Sequence, residues 1–250
     1  MKLKLLSLLP FVLLTSCTTI NGYNYEEDGF IALSDNNIKL DNVKNVIVDW
    51  VNGSVSLEQS EEDYLFLTET KTDYPLYYKV TNETLTIKLV KSGMPSRILN
   101  KLEKNLYLVL PKEFGDIQLD TVDTYISSYT DITINKATLN NVNGYFGTQT
   151  YHAKETYLNG VGTSYSFSYY QVKLEERVDL NVNTVNADIN IGFAKEDGYE
   201  IKWAGVQSTF SSDYGSMYSF GAGRMKIDFN GVKSNLSLFT FYRPVPVEGE

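Results

Sequence analysis

The sequence predicts an all-β fold, a β-solenoid (β-helix-like) of roughly 20-residue coils preceded by a strand-rich N-terminal part. Three observations carry this. Apolar residues recur at every second position over most of the chain, which is the strand period. A Leu-Asx unit returns at nearly fixed spacing in the second half. The composition, with 19 tyrosines and many Val, Ile and Thr, suits strands, and no long helix-period stretch follows the first residues.

From about Asn42 the chain alternates. Val46, Val48 and Trp50 share one face, with Ile47 and Asp49 on the other. Asn52-Gly53 is a turn signal, and Val55 and Leu57 begin the next strand. Leu65 and Leu67 follow, then Tyr78 and Val80, then Leu85, Ile87 and Leu89, all spaced by two. Ser96 to Glu103 is the one helix candidate, with Ser96 as cap and Ile98, Leu99 and Leu102 on one face. Leu106, Leu108 and Leu110 return to period two, and Pro111 ends that strand.

Beyond Pro111 the repeat appears as Leu119-Asp120-Thr121-Val122, Leu139-Asn140-Asn141-Val142, Leu158-Asn159-Gly160-Val161 and a looser Leu180-Asn181-Val182. The leading leucines are 20, 19 and 22 residues apart. Twenty residues trace roughly 66 Å when extended, too long for one strand but suited to one coil of two or three short strands. Stacked coils place Leu119, Leu139, Leu158 and Leu180 in an inward column and Val122, Val142 and Val161 in another. Asp120, Asn140, Asn159 and Asn181 then form a polar ladder at a bend. An antiparallel sheet whose hairpins share a length fits the same spacing.

The N-terminus reads differently. Lys2 and Lys4 precede the apolar run Leu5 to Leu14, which is shorter than the ~20 residues a membrane span needs. A basic start, a short apolar run and small residues at its end describe a secretory signal. It closes on Leu14-Thr15-Ser16-Cys17, which resembles the lipobox of bacterial lipoproteins. That resemblance implies cleavage before Cys17 and acylation of Cys17, so that membrane lipid is a partner. Two or more acyl chains give stable anchoring. Cys17 is the only cysteine, so the mature chain has no disulfides. Thr18, rather than aspartate, follows it, which allows the outer membrane or cell surface. The expected organisation is a signal segment at 1–16, a lipidated tether at 17–30 and an N-terminal β region at 31–112. A β-repeat region at 113–240, continuous with the previous one, and a tail at 241–250 complete it.

Cleavage removes two of the 22 basic residues and none of the 31 acidic ones, so the net charge moves from −9 to about −11. This disfavours nucleic acid, whose binding rests on Lys and Arg against phosphates, and docking on anionic lipid. From about Asn42 to Leu238 the chain resembles the DUF4097 ("putative adhesin") proteins, a β-strand-repeat bacterial family. The resemblance rests on Val51-Asn52-Gly53-Ser54-Val55-Ser56-Leu57, on Leu106-Tyr107-Leu108-Val109-Leu110-Pro111 and on Asn186-Ala187-Asp188-Ile189-Asn190-Ile191. Asn143-Gly144-Tyr145-Phe146 fits in part, and Asp123-Thr124-Tyr125-Ile126 lacks the glycine. It implies a solenoid-like fold and an envelope location, with no activity and no functional residues to carry over.

Catalytic and metal chemistry find little to work with. His152 is the single histidine and reads as a surface or loop residue; with Cys17 acylated, no His or thiolate metal site is expected. Gly221-Ala222-Gly223 reads as a turn. Glu61-Glu62-Asp63, Glu175-Glu176 and the pair Asp120 and Asp123 read as solvated acidic faces. No cofactor is implied and no enzyme is expected. The aromatics say more. Tyr165, Phe167 and Tyr169 alternate with serines and share one strand face. Tyr145, Phe146 and Tyr151 lie about a coil earlier, and Tyr125 and Tyr129 a coil before that. These rings either fill the core as a ladder or form an exposed strip for a glycan or an envelope or host protein, in which Tyr165, Phe167, Tyr169, Tyr145 and Tyr151 are the candidate contacts. Three function classes follow: a non-catalytic binding or adhesin-like lipoprotein, a structural or sensory envelope component, and a polysaccharide-active β-helix enzyme.

Overall fold

A computed structural model describes residues 28–70, 74–90, 96–99, 101–169 and 176–242. Cys17, the signal segment and nearly all of the tether lie outside the described residues. The N-terminal part carries β1 (Ile31–Ala32), β2 (Asn37–Asp41), β3 (Asn45–Gln59), β4 (Tyr64–Glu69), β5 (Tyr77–Thr81), β6 (Thr84–Lys88), the short helix α1 (Ser96–Leu99) and β7 (Lys104–Leu110). The middle holds β8 (Asp116–Ser128), β9 (Ile132–Val142), β10 (Tyr145–Val161) and β11 (Ser164–Tyr169). The C-terminal part holds β12 (Val178–Val185), β13 (Asp188–Ala194), β14 (Tyr199–Val206), β15 (Thr209–Ser212), β16 (Ser219–Phe220), β17 (Met225–Val232) and β18 (Asn235–Phe241). The fold is the all-β solenoid the sequence predicts. Its long strands turn a corner in mid-course, so one continuous sheet folds into two facing walls.

The corner has a repeated cause. Val51, Val122, Val142, Val161, Val185, Val232 and Val206 stand in one register across the pairs β3–β8, β8–β9, β9–β10, β10–β12, β12–β17 and β17–β14. The residue after each valine has positive φ: Asn52, Asp123, Asn143, Gly162, Asn186, Lys233 and Gln207, all between 51° and 63°. Asn, Asp and Gly tolerate this left-handed region; Gln and Lys enter it at some cost. A small residue follows each, and where it is Thr124, Ser208 or Ser234 its hydroxyl donates to the valine carbonyl two positions back, at 2.9, 3.2 and 3.1 Å. Asn52-Gly53 therefore turns a coil corner inside β3 rather than closing a hairpin, with Val55 and Leu57 on the second wall.

Between the walls lies one apolar core. Val48, Leu119, Leu139, Leu158, Val182, Phe229 and Trp203 run through the first wall in register. Val55, Ile126, Phe146, Tyr165, Ile189, Leu236 and Phe210 answer from the second. Val182, not Leu180, continues the leucine column. Leu180 pairs with Thr156, because the step from Leu158 is 24 residues rather than 22. A two-residue slip keeps every side chain on its own face, so alternation alone does not detect it.

The polar ladder exists with the same correction. Asn140 donates to Asp120 at 2.6 Å, Asn159 to Asn140 at 2.8 Å, Asn183 to Asn159 at 3.1 Å and Asn230 to Asn183 at 3.3 Å. Asn183 takes the place expected of Asn181, which pairs with Tyr157. Asn140, Asn159 and Asn183 each donate to one neighbour and accept from the next, so these partly buried amides are satisfied along the stack.

Both ends depart from chain order. β6 and β7 lie outside β3, although they follow it in sequence, and β5 and β4 flank them antiparallel. At the other end β17 and β18 sit between β12–β13 and β14–β15, so the segment running through Gly205 forms the terminal rung. β16 covers part of that rung, Tyr199 pairing with Phe220. Helix α1 is shorter than expected, though Leu99 and Leu102 are buried as its face predicts. Val80 shares the face of Tyr78 but lies exposed near the end of β5.

At the N-terminal end Lys104 is wholly buried. Its ammonium sits 2.5 Å from the Glu69 carboxylate and donates to the carbonyls of Tyr74 at 2.7 Å and Leu89 at 2.9 Å. Leu76 N donates to the other Glu69 oxygen at 3.0 Å. In such a buried pair, loss of either partner leaves an uncompensated charge and costs about 3–5 kcal/mol. Lys104 also sets the first corner, because a Cβ on Gly53 (φ 97°) would collide with the Lys104 carbonyl oxygen. Gly53→Ala combines this clash with a left-handed backbone. We expect it to lower stability by on the order of 3 kcal/mol or more in denaturant melts. Ala at Gly215, which has no neighbour near a Cβ, should cost clearly less.

Candidate functional site

The tyrosine-rich coils split across two faces. On the inner face, Tyr165, Phe167, Tyr169 and Tyr151 are all at most 3% exposed. Phe146, Tyr151, Phe167 and Tyr169 pack edge to face at centroid distances of 5.0–5.9 Å. Their hydroxyls are paired inside: Tyr151 with Thr156 Oγ1 at 2.9 Å, Tyr165 donating to the Asn159 carbonyl at 3.1 Å, and Tyr169 accepting from Ala153 N at 3.0 Å. Of the two arrangements open to Tyr165, Phe167, Tyr169 and Tyr151, a core ladder or an exposed strip, these four form the ladder. The register turns these rings toward the facing wall, where they fill the core as a ladder.

Tyr145 goes the other way. It stands one place before Phe146 and so points outward, in register with Tyr125 of β8. The two rings stack at 4.8 Å between centroids, 11° from parallel, with Tyr125 51% exposed. The Tyr145 ring lies over Gly147, where any Cβ would strike it, so the absence of a side chain there leaves room for the ring.

This pair borders a cleft of about 590 Å³ that runs along the left-handed corner over four successive coils. The outermost coil contributes Glu103 and Asn105; β3 contributes Asn52 and Gly53. Asp123, Thr124 and Tyr125 come from β8, and Asn143, Gly144 and Tyr145 from the next coil. With coils about 4.8 Å apart, the cleft is about 14 Å long. One rim is held by Ser54 donating to Asn105 Oδ1 at 2.8 Å and by Asn105 N donating to Thr70 Oγ1 at 3.2 Å. The Tyr125 phenol is shifted upward, first by lost solvation and then by its neighbours Tyr145 and Tyr129, so this ring is uncharged at neutral pH. The arrangement sets aromatic ring surface beside side-chain amides and carboxylates.

Of the five aromatics singled out from sequence, only Tyr145 reaches this site; its partner Tyr125 and the corner Asn and Asp residues were not among them. A signal was present. Two places after each corner residue stand Ser54, Tyr125, Tyr145, Ser164, Asp188, Thr209 and Asn235. Five of these are polar, which marks the position as outward. His152 is buried rather than superficial: it sits in β10 with Nε2 3.5 Å from Glu176 and its ring beside Tyr169. Among the described residues, no group of three or more His, Cys, Asp or Glu side chains converges as a metal site would require. No helix among them is long and apolar enough to cross a membrane.

No family model matches the chain, and no curated protein matches it. Among solved structures it is similar to a "putative cell adhesion protein" from Clostridium sporogenes ATCC 15579. That match has 11% identity and a TM-score of 0.38, and covers 85% of this chain and 98% of that one. A "putative adhesin" from Parabacteroides distasonis ATCC 8503 is similar at 11% identity with a TM-score of 0.31, over 82% of this chain and 96% of that one.

Burial raises the phenols of Tyr151, Tyr165 and Tyr169 well above the usual tyrosine value. A raised folded-state value means that stability is fully present below the unfolded tyrosine value of about 10 and is lost as pH rises beyond it. Phenolate absorbance from these three should therefore appear together with loss of the β circular-dichroism signal. Their gradual titration with the fold intact would contradict the buried ladder.

Proposed function

We propose that this protein is a non-catalytic recognition lipoprotein of the bacterial cell envelope, of the DUF4097 adhesin-like kind, which binds carbohydrate at the corner cleft. The observation that carries the reading is the stacked pair on the cleft wall formed by exposed Tyr125 and half-buried Tyr145. The ring surface that the stack leaves open is apolar and is covered by a ligand that packs on it, and tyrosine serves this role with little entropy loss. The cleft volume lies within the range of small-ligand sites, about 300–1,000 Å³. Side-chain amides of Asn52, Asn105 and Asn143 beside the rings supply donors and acceptors for sugar hydroxyls.

Anchoring is proposed from the N-terminal sequence. Acylation of Cys17 after removal of residues 1–16 would tether the domain by the ~14 residues up to about Phe30, at an outer membrane or cell surface. The acidic domain is repelled by anionic headgroups, which favours a position held away from the bilayer. A Cys17→Ser substitution should abolish both incorporation of labelled fatty acid and recovery of the protein in the membrane fraction. Undiminished membrane recovery would remove the lipid anchor from the reading.

For the cleft, the full-length protein in detergent is tested on a glycan array beside the variant Tyr125→Ala, Tyr145→Ala. Both rings are outside the core, so the variant should melt within a few degrees of the parent. Glycan binding is expected to fall at least 30-fold, about 2 kcal/mol. Unchanged binding would end the carbohydrate reading of this cleft, and a structural or sensory envelope role would replace it.

A further inference from the structure

We infer that the corner cleft takes an extended oligosaccharide with no negative charge, neutral or amino-sugar, laid along the solenoid axis; this rests on the carbohydrate reading just given. The charge of the lining decides the class. Glu103 and Asp123 are both exposed carboxylates on the cleft, and no Lys or Arg lines it among the described residues. The nearest cation in sequence, Lys104, lies between Glu103 and Asn105, and strand alternation turns it inward to the Glu69 pair. An acidic glycan entering here would place its carboxylates or sulfates against two like charges with no compensating cation. An ammonium-bearing sugar would meet them favourably, and a neutral sugar would use them as hydroxyl acceptors.

Geometry sets the direction. The lining repeats once per coil: Asn52, Asp123 and Asn143 occupy the same corner position on three successive coils, and Tyr125 and Tyr145 the same outward position on two. Equivalent groups therefore recur about every 4.8 Å. That is close to the advance of one sugar in an extended chain, so successive units meet equivalent partners. A single monosaccharide would use only a fraction of the cleft.

The test uses the full-length protein in detergent and four probes: a glucosamine tetramer, a neutral glucose tetramer, a galacturonate tetramer and a tetralysine peptide. The variant Asp123→Asn, Glu103→Gln removes both charges. It keeps the corner, because Asn already stands at that position as Asn52, Asn143 and Asn186 with φ of 52–63°. The parent should bind the glucosamine or glucose tetramer at least 10-fold more tightly than the galacturonate tetramer. The variant should lose most of that discrimination, and binding of the glucosamine tetramer should weaken about 10-fold. Galacturonate binding equal to the others, and abolished by Tyr125→Ala, Tyr145→Ala, would overturn the charge class while leaving the carbohydrate reading in place. Binding of no oligosaccharide, or binding indifferent to the tyrosines, would remove both. Tetralysine bound as tightly as the glucosamine tetramer, with the same tyrosine dependence, would show a site that reads charge rather than sugar and would overturn the inference.

Discussion

Every coil must turn the same corner, and only a left-handed residue after the register valine turns it. That one backbone constraint organises the molecule. It bends each long strand from the first wall onto the second, and it fixes which side chains face the core on both sides of the bend. It also aligns the coils, because neighbouring rungs pair only if their corners superpose. Asn, Asp and Gly meet the requirement cheaply in the middle of the stack. The last two rungs use Lys233 and Gln207, where the conformation costs more.

The side-chain ladder beside the corner follows from the same alignment. Once corners superpose, the residue three places before each of them superposes too, and Asp120, Asn140, Asn159, Asn183 and Asn230 come within hydrogen-bond reach. The ladder in turn penalises slippage, since a one-coil error would leave half-buried amides unpaired. The buried Lys104–Glu69 pair does comparable work at the N-terminal end. At the other end, rings do it: Trp203 stacks on Phe229 at 4.1 Å, and Tyr218 on Phe210 at 5.6 Å.

The site is a by-product of the corner. A column of left-handed residues leaves a notch on the outside of the solenoid, because small residues follow each bend. Where the outward position beyond the notch is Ser, Asp or Asn, the surface stays polar and plain. Where it is Tyr125 and Tyr145, the notch gains a wall of stacked rings. The inner aromatic ladder of Tyr151, Tyr165, Phe167 and Tyr169 is the opposite outcome of the same alternation, one residue out of phase. Its rings are buried in the core and leave none exposed for a ligand.

The fold class, the inward leucine columns, the Asx ladder and the one-faced grouping of Tyr165, Phe167 and Tyr169 were all legible in the sequence, because they depend on period two and on a repeat near 20 residues. So was the need for a bend at Asn52-Gly53, where both residues favour positive φ. Tertiary structure alone decided three things. It chose Val182 and Asn183 over Leu180 and Asn181, since a slip of two residues preserves every face and only packing against β10 and β17 separates the two registers. It set the order of rungs at both ends, where β6–β7 and β17–β18 insert against strands distant in sequence. It also decided which tyrosines meet water, because facing out or in is defined relative to a second wall that a single strand's pattern does not contain.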